Sequence, residues 1–176
     1  MNTTSMNQAG IYFDKNKLVK LKKLSEWQKF ANEGYEFLKK GDYELASKKF
    51  NNALKYDVKN SNLQALNGIA YHLNAKYQDA NNYQLAKQGY ELASKFDPSN
   101  WVPFYLNGLI NFKEKEYNLA KNNFINASLK NWGNYEILFN VAVASYYDLD
   151  FETSAKVIKY LKKQDLDNKL FLKVNK

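Results

Sequence analysis

A four-residue signature returns four times along this chain, and its spacing constrains the fold more than any other feature. Tyr43-Glu44-Leu45-Ala46 aligns with Tyr83-Gln84-Leu85-Ala86, Tyr117-Asn118-Leu119-Ala120 and Phe151-Glu152-Thr153-Ser154. Four residues beyond each small residue stands a large one: Phe50, Tyr90, Phe124 or Ile158. Three further on stands Ala53, Ala93, Ala127 or Leu161. Upstream, Gly34, Gly68, Gly108 and Ala142 form a second column of small residues, spaced 34, 40 and 34 apart. Periods of this length mark stacked supersecondary units. A small residue on a first helix lets a second helix approach closely. On that second helix, residues four apart place a small and a bulky group on one face. Each unit is then a helical hairpin that cannot bury its apolar face alone, so stacked neighbours make the core.

Composition agrees with helices. Only 2 Pro and 7 Gly occur in 176 residues, which disfavours a β-sandwich with its Gly- and Pro-rich turns. With 45% hydrophobic and 25% charged residues and a mean hydropathy of −0.65, the chain has the balance of a folded domain. Cysteine is absent and His72 is the single histidine, so thiolate chemistry is excluded and most metal sites and catalytic triads lack parts. No phosphate-cradling glycine motif and no G-x-S-x-G elbow occurs. The expectation is a non-enzymatic protein with no cofactor and no metal. No apolar run is long enough to span a bilayer and no signal peptide is visible at the N-terminus, so the cytoplasm is the default compartment, with export open if a leader has been removed.

The columns resemble the tetratricopeptide repeat, with its W-x2-L-G-x2-Y, then A-x3-F, then P pattern. The resemblance covers about four fifths of the chain. It implies an all-α, right-handed superhelical array, an α-solenoid of four hairpins over 27–168, with repeats at 27–60, 61–100, 101–134 and 135–168. Trp27, Trp101 and Tyr135 open the first, third and fourth repeats. Departures occur: Glu33, Asn67 and Asn107 fill the place before the small residue, where the family usually has Leu, and Val58 and Trp132 replace the closing Pro. Repeat four, with Ser154, Ile158 and Leu161, diverges most. Repeat two carries six extra residues within 72–82, a stretch without Gly or Pro, and its helices are expected to lengthen there. Residues 1–13 read as a flexible segment, 14–26 as an N-terminal flanking helix and 169–176 as a short closing helix.

The net charge of +8 is confined to the two ends. Residues 1–26 hold five Lys against Asp14 and Glu26, and 156–176 hold seven Lys against Asp165 and Asp167, whereas 27–155 balances fourteen Lys with fourteen acids. Every basic residue is Lys. Without Arg there is no bidentate fork for base edges or phosphate, so specific nucleic-acid readout is disfavoured and loose electrostatic attachment to nucleic acid or an anionic membrane through the termini is the alternative reading.

By resemblance to the family, function sits on the wall formed by the first helices. Its second, fifth, ninth and twelfth places share one side of a helix, with the thirteenth beside them. They include Tyr35 and Leu38 in repeat one, Ile69 and His72 in repeat two, Val102, Tyr105, Leu109 and Phe112 in repeat three, and Phe139, Val143 and Tyr146 in repeat four. That set is apolar where a solvated wall would be polar, which points to a groove for an apolar or amphipathic peptide segment. Three other occupants stay open: the chain's own 1–13 segment with Ile11, Tyr12 and Phe13, a second copy in a homo-oligomer, or ordinary core packing. The subclass that clamps acidic chaperone tails carries Lys and Asn at the fifth and ninth places. Here Ala31, Tyr35, Ala65 and Ile69 occupy them and no Arg exists at all, which disfavours that ligand class.

Overall fold

The spacing of small and bulky residues materialises as eight helices in the computed structural model, which describes residues 24–77, 79 and 81–164. They run α1 (Glu26–Lys40), α2 (Tyr43–Leu54), α3 (Ser61–Tyr77), α4 (Asn82–Phe96), α5 (Val102–Lys113), α6 (Tyr117–Lys130), α7 (Tyr135–Tyr147) and α8 (Phe151–Lys163). Each odd-numbered helix packs on the even one that follows it and on the even one before it, so the chain is a linear stack of antiparallel hairpins. Of the flanking helix expected over 14–26, only 24–26 is described. There Leu24 and Ser25 are not helical, and Glu26 already belongs to α1. The Gln28 side chain reaches back to the Ser25 N–H at 2.9 Å, a capping box that fixes the start of α1. The expectations for 1–13 and 169–176 lie outside the described residues.

The two repeating columns meet inside each hairpin. A Cβ placed on Gly34 would lie 2.8 Å from the Phe50 ring, on Gly68 2.7 Å from the Tyr90 ring, and on Gly108 2.6 Å from the Phe124 ring. These distances are far inside van der Waals contact, so each ring occupies the space a side chain would need. Phe50, Tyr90 and Phe124 are in turn fully buried. Ala46, Ala53, Ala86, Ala93, Ala120 and Ala127 are equally buried on the same faces of the second helices. In repeat two Gly89 adds a further close approach, its Cβ position falling 3.0 Å from the Gly68 Cα. The six-residue insertion sits on this hairpin. α3 runs to 17 residues against 12 in α5 and 13 in α7, and α4 has 15 against 14 in α6.

Successive hairpins are tied by a polar clamp in the same 34-residue register. Lys87 on α4 donates to Glu114 at 2.9 Å and Glu116 at 3.0 Å, in the turn of the next hairpin. Lys121 on α6 likewise reaches Asp148 at 2.6 Å and Asp150 at 3.1 Å. Between hairpins one and two, Ser47 takes the lysine's place and the polar contacts are neutral. Asn67 donates to Asn51 at 2.8 Å, and Asn51 to the Tyr71 hydroxyl at 2.9 Å. A cleft of about 280 Å³ opens there between Glu44, Ser47, Tyr71, Asn74, Asp79 and Asn82. Asp148, Asp150 and Glu152 therefore act as turn and cap residues: the Asp150 carboxylate accepts the Thr153 N–H at 3.1 Å, and Glu152 pairs with Lys156.

Two outcomes test this construction. Gly108→Ala should destabilise the fold by about 1–3 kcal/mol in chemical denaturation, because the Phe124 ring must leave a buried position; a neutral result would show that the interhelical gap can widen freely. The clamp has a pH signature. Lys121 holds the Asp148 carboxyl below the ordinary carboxylate range, and Asp150 is lowered first by Thr153 and then by Lys121. A depressed carboxyl contributes stability above its unfolded value and loses it as pH falls through the folded one. Lys121→Gln should thus lower the melting temperature at neutral pH, and the gap to wild type should close below about pH 4. An undiminished gap in acid would assign the lysine's role to packing.

Candidate functional site

The first helices approach one another across the stack. α1 touches α3, and the Tyr105 hydroxyl on α5 donates to Glu136 on α7 at 2.7 Å. The residues expected to form a groove all lie on these first helices, α1, α3, α5 and α7. Among them, Tyr35 and Tyr146 are exposed at 49% and 57%, large values for aromatic side chains in a folded domain. Leu38, Ile69, His72, Val102, Tyr105, Leu109, Phe112, Phe139 and Val143 are half-buried. Leu38 leans on the core between repeats one and two, and Ile69 on the Tyr83–Tyr90 cluster. Tyr105, Leu109 and Phe112 lean on the cluster around Phe124 and Val141. None of these residues is wholly enclosed.

Tyr105 is the most constrained member. Its ring lies 5.8 Å from that of Phe124, and besides donating to Glu136 its hydroxyl accepts from Asn140 at 3.4 Å. Burial, followed by the hydrogen bond to Glu136, pushes its pKa up to about 12. Phe112 belongs to an aromatic cluster that continues beyond the wall, with Tyr117 at 5.3 Å and Tyr147 at 5.5 Å edge-on. Tyr117 and Tyr147 stack at 5.1 Å, and Tyr146 meets Tyr147 and Phe151. Phe151 and Leu149 remain 55% and 73% exposed, so the apolar surface runs from the wall onto the outer edge of repeat four. Sequence reasoning on helical faces alone omits this edge. Trp132, in the place of the closing Pro, is 69% exposed, with a tilted contact to Tyr160.

His72 is more engaged than a bystander. Its Nδ1 lies 3.2 Å from the Tyr90 hydroxyl, and its ring meets the Tyr83 ring edge-on at 5.6 Å. Lys113 on α5 donates to the Tyr83 hydroxyl and sits 4.1 Å from that ring's centre. Burial first, then the ammonium groups of Lys113 and Lys76, lower the histidine pKa, so the imidazole is neutral at pH 7. Among the described residues no group of three His, Asp or Glu is placed to hold a metal ion, and no helix is long and apolar enough to cross a membrane.

The sequence matches no family model and no curated protein. Solved structures do share its architecture. A crystal structure of MamA protein is 14% identical and superimposes with a TM-score of 0.68 over 80% of this chain and 74% of that one. The first TPR of Spaghetti (RPAP3), bound to an HSP90 peptide of sequence SRMEEVD, is 18% identical at a TM-score of 0.61, over 68% of this chain and 90% of that one. The first TPR domain of human RPAP3 is 18% identical with a TM-score of 0.59, covering 71% and 94%. The fold is a helical repeat array of the tetratricopeptide type, all-α among the described residues.

Tyr105→Phe should cost about 0.5–1.5 kcal/mol in thermal or chemical unfolding while leaving helicity unchanged, since it deletes the hydrogen bond to Glu136 and the longer one from Asn140 and retains the ring. A loss several times larger would mean that the α5–α7 contact holds the whole wall together.

Proposed function

We propose that this protein is a non-catalytic interaction module that captures an apolar or amphipathic peptide segment along the inner wall of its first helices. One observation carries the reading: a run of large apolar side chains, from Tyr35 and Leu38 through Ile69, Val102, Tyr105 and Leu109 to Phe139, Val143 and Tyr146, is half-open on a wall built from rigid helices. Contiguous apolar exposure of this kind marks interaction surfaces. Each anchor that becomes fully covered contributes roughly 1.5–3 kcal/mol. Two or three of them suffice for about micromolar affinity after ordering costs. That a neighbour of the same fold holds a peptide supports the reading by architecture alone.

The competing proposal, electrostatic attachment through the Lys-rich ends, differs in its salt response. Lysine–phosphate contacts weaken steeply with salt, whereas apolar capture does not. Peptides selected from a random display library against the full chain provide the test. Their affinity by calorimetry should be nearly independent of salt and should fall at least about a hundredfold in the double variant Leu109→Asp/Phe139→Asp, through loss of two anchors. The circular dichroism of the variant should stay helical. A variant that unfolds would assign these residues to the core, and the milder Leu109→Ser would then decide whether affinity depends on the wall.

A further inference from the structure

The topology sorts the charge that the sequence concentrates towards its ends. In a stack of antiparallel hairpins the first helices begin and the second helices end along one edge, and the turns inside the hairpins form the opposite edge. Two contacts mark the first edge. Ser61 at the start of α3 donates to the Ala93 carbonyl near the end of α4 at 2.9 Å, and the Lys130 ammonium at the end of α6 lies 4.9 Å from the centre of the Phe104 ring near the start of α5. Here the second helices close on Lys55, Lys95, Lys130, Lys162 and Lys163, with Lys59 in the first loop. The neighbouring acids are engaged: Asp57 accepts from Asn60, Asp97 from Ser99 and Glu136 from Tyr105, and Glu26 pairs with Lys29. Since α1 starts and α8 ends on this edge, both Lys-rich ends of the sequence join the array there.

Lysine in a last turn answers the helix dipole, but the dipole does not account for the apolar side chains between these lysines. Tyr56, Val58, Leu129 and Trp132 each leave more than half of their surface open. The three tryptophans all stand on this edge, Trp27 and Trp101 at the starts of α1 and α5 and Trp132 in the loop before α7. We infer that the edge docks on an anionic lipid surface, with Trp132, Leu129, Val58 and Tyr56 in the headgroup boundary and the lysines against its phosphates. Amphipathic rings favour that depth, and lysines on flexible stems suit a smeared layer of charge. Single-stranded nucleic acid fits less well, because Val58 and Leu129 offer no π-face to a base and Tyr56 already stacks on Phe30. The opposite edge is unsuited, since its exposed Leu149 and Phe151 stand among Asp148, Asp150 and Glu152. The inference does not rest on the peptide-binding reading, which concerns the length of the first helices rather than the loops before them.

Co-sedimentation of the full chain with lipid vesicles provides the test. Vesicles with about a third phosphatidylserine should carry the protein down at about 0.1 M salt and release it at about 0.5 M, whereas pure phosphatidylcholine vesicles should not bind it. Lys55→Glu/Lys59→Glu, at exposed positions, should weaken binding at least about tenfold, since each lysine near such a surface is worth about fivefold. In Trp27→Phe/Trp101→Phe, where Trp132 is the only indole, emission should shift to the blue on the anionic vesicles. Trp132→Phe, at an exposed site, should lose most of the wild-type shift and keeps the test valid if the double variant loses helicity. Vesicle binding that leaves Trp132 unmoved and is undiminished in Lys55→Glu/Lys59→Glu would overturn the inference and assign attachment to the chain ends. Failure to bind the anionic vesicles, or tighter binding of a single-stranded oligonucleotide at equal salt, would also overturn it. None of these outcomes decides peptide capture, so the two readings fail separately.

Discussion

The structure depends on a steric exchange between two side chains per hairpin: an absent one on the first helix and a ring on the second. Gly34 with Phe50, Gly68 with Tyr90 and Gly108 with Phe124 set how near the helices of a pair can come. Because protein interiors are packed to crystalline density, that distance is a fixed quantity for all neighbouring contacts. Everything farther out is measured from it. The alanines beside each ring keep the next hairpin close, and the apolar wall owes its half-open state to this spacing. Residues such as Leu109 and Phe112 pack one flank on the core while the other has no helix to cover it.

The lysine clamps refine the same geometry at the turns. Lys87 and Lys121 each span two acids of the following hairpin, so they fix the angle between neighbours rather than the core itself. The first junction dispenses with charge and uses Asn51, Asn67 and the Tyr71 hydroxyl in its place. A peptide laid along the wall meets anchors whose spacing is determined by these joints, and a rigid spacing of anchors lowers the ordering cost of binding.

Much of this is legible from the residues alone, because the repeat multiplies weak signals. Gly34, Gly68 and Gly108 say little singly, yet their register with Phe50, Tyr90 and Phe124 specifies which atoms meet. The inner face follows from helical geometry in the same way. The clamps were equally available, since Lys87 and Lys121, Glu114 and Asp148, and Glu116 and Asp150 share the 34-residue period, but charged residues on solvated turns look alike until their partner is placed. Exposure is the part that local pattern does not encode. Whether Tyr105 is open, or tied to Glu136 and Asn140, depends on the angle between hairpins. The pairing of His72 with Tyr90 and the approach of Lys113 to Tyr83 depend likewise on contacts more than a dozen residues apart. The outer aromatic edge continues from Tyr146 and Tyr147 on α7 to Phe151 on α8, and Phe151 lies outside any single-face periodicity of the first helix.

The turn between α7 and α8 bears on how such an array comes apart. Gly41 supplies the left-handed backbone of the first turn at φ 81°, but the same geometry is forced on Lys115 at 65° and on Leu149 at 63°, where a Cβ makes it costly. In repeat four this coincides with Ala142 and Ile158 replacing the glycine and ring, and Ile158 is only half-buried. A one-dimensional stack yields first where a unit is weakest within itself and against its neighbour. On heating, the fourth hairpin is therefore the unit expected to open first, like a zipper at its loosest tooth, with Phe139, Val143 and Tyr146 losing their places before the anchors nearer α1.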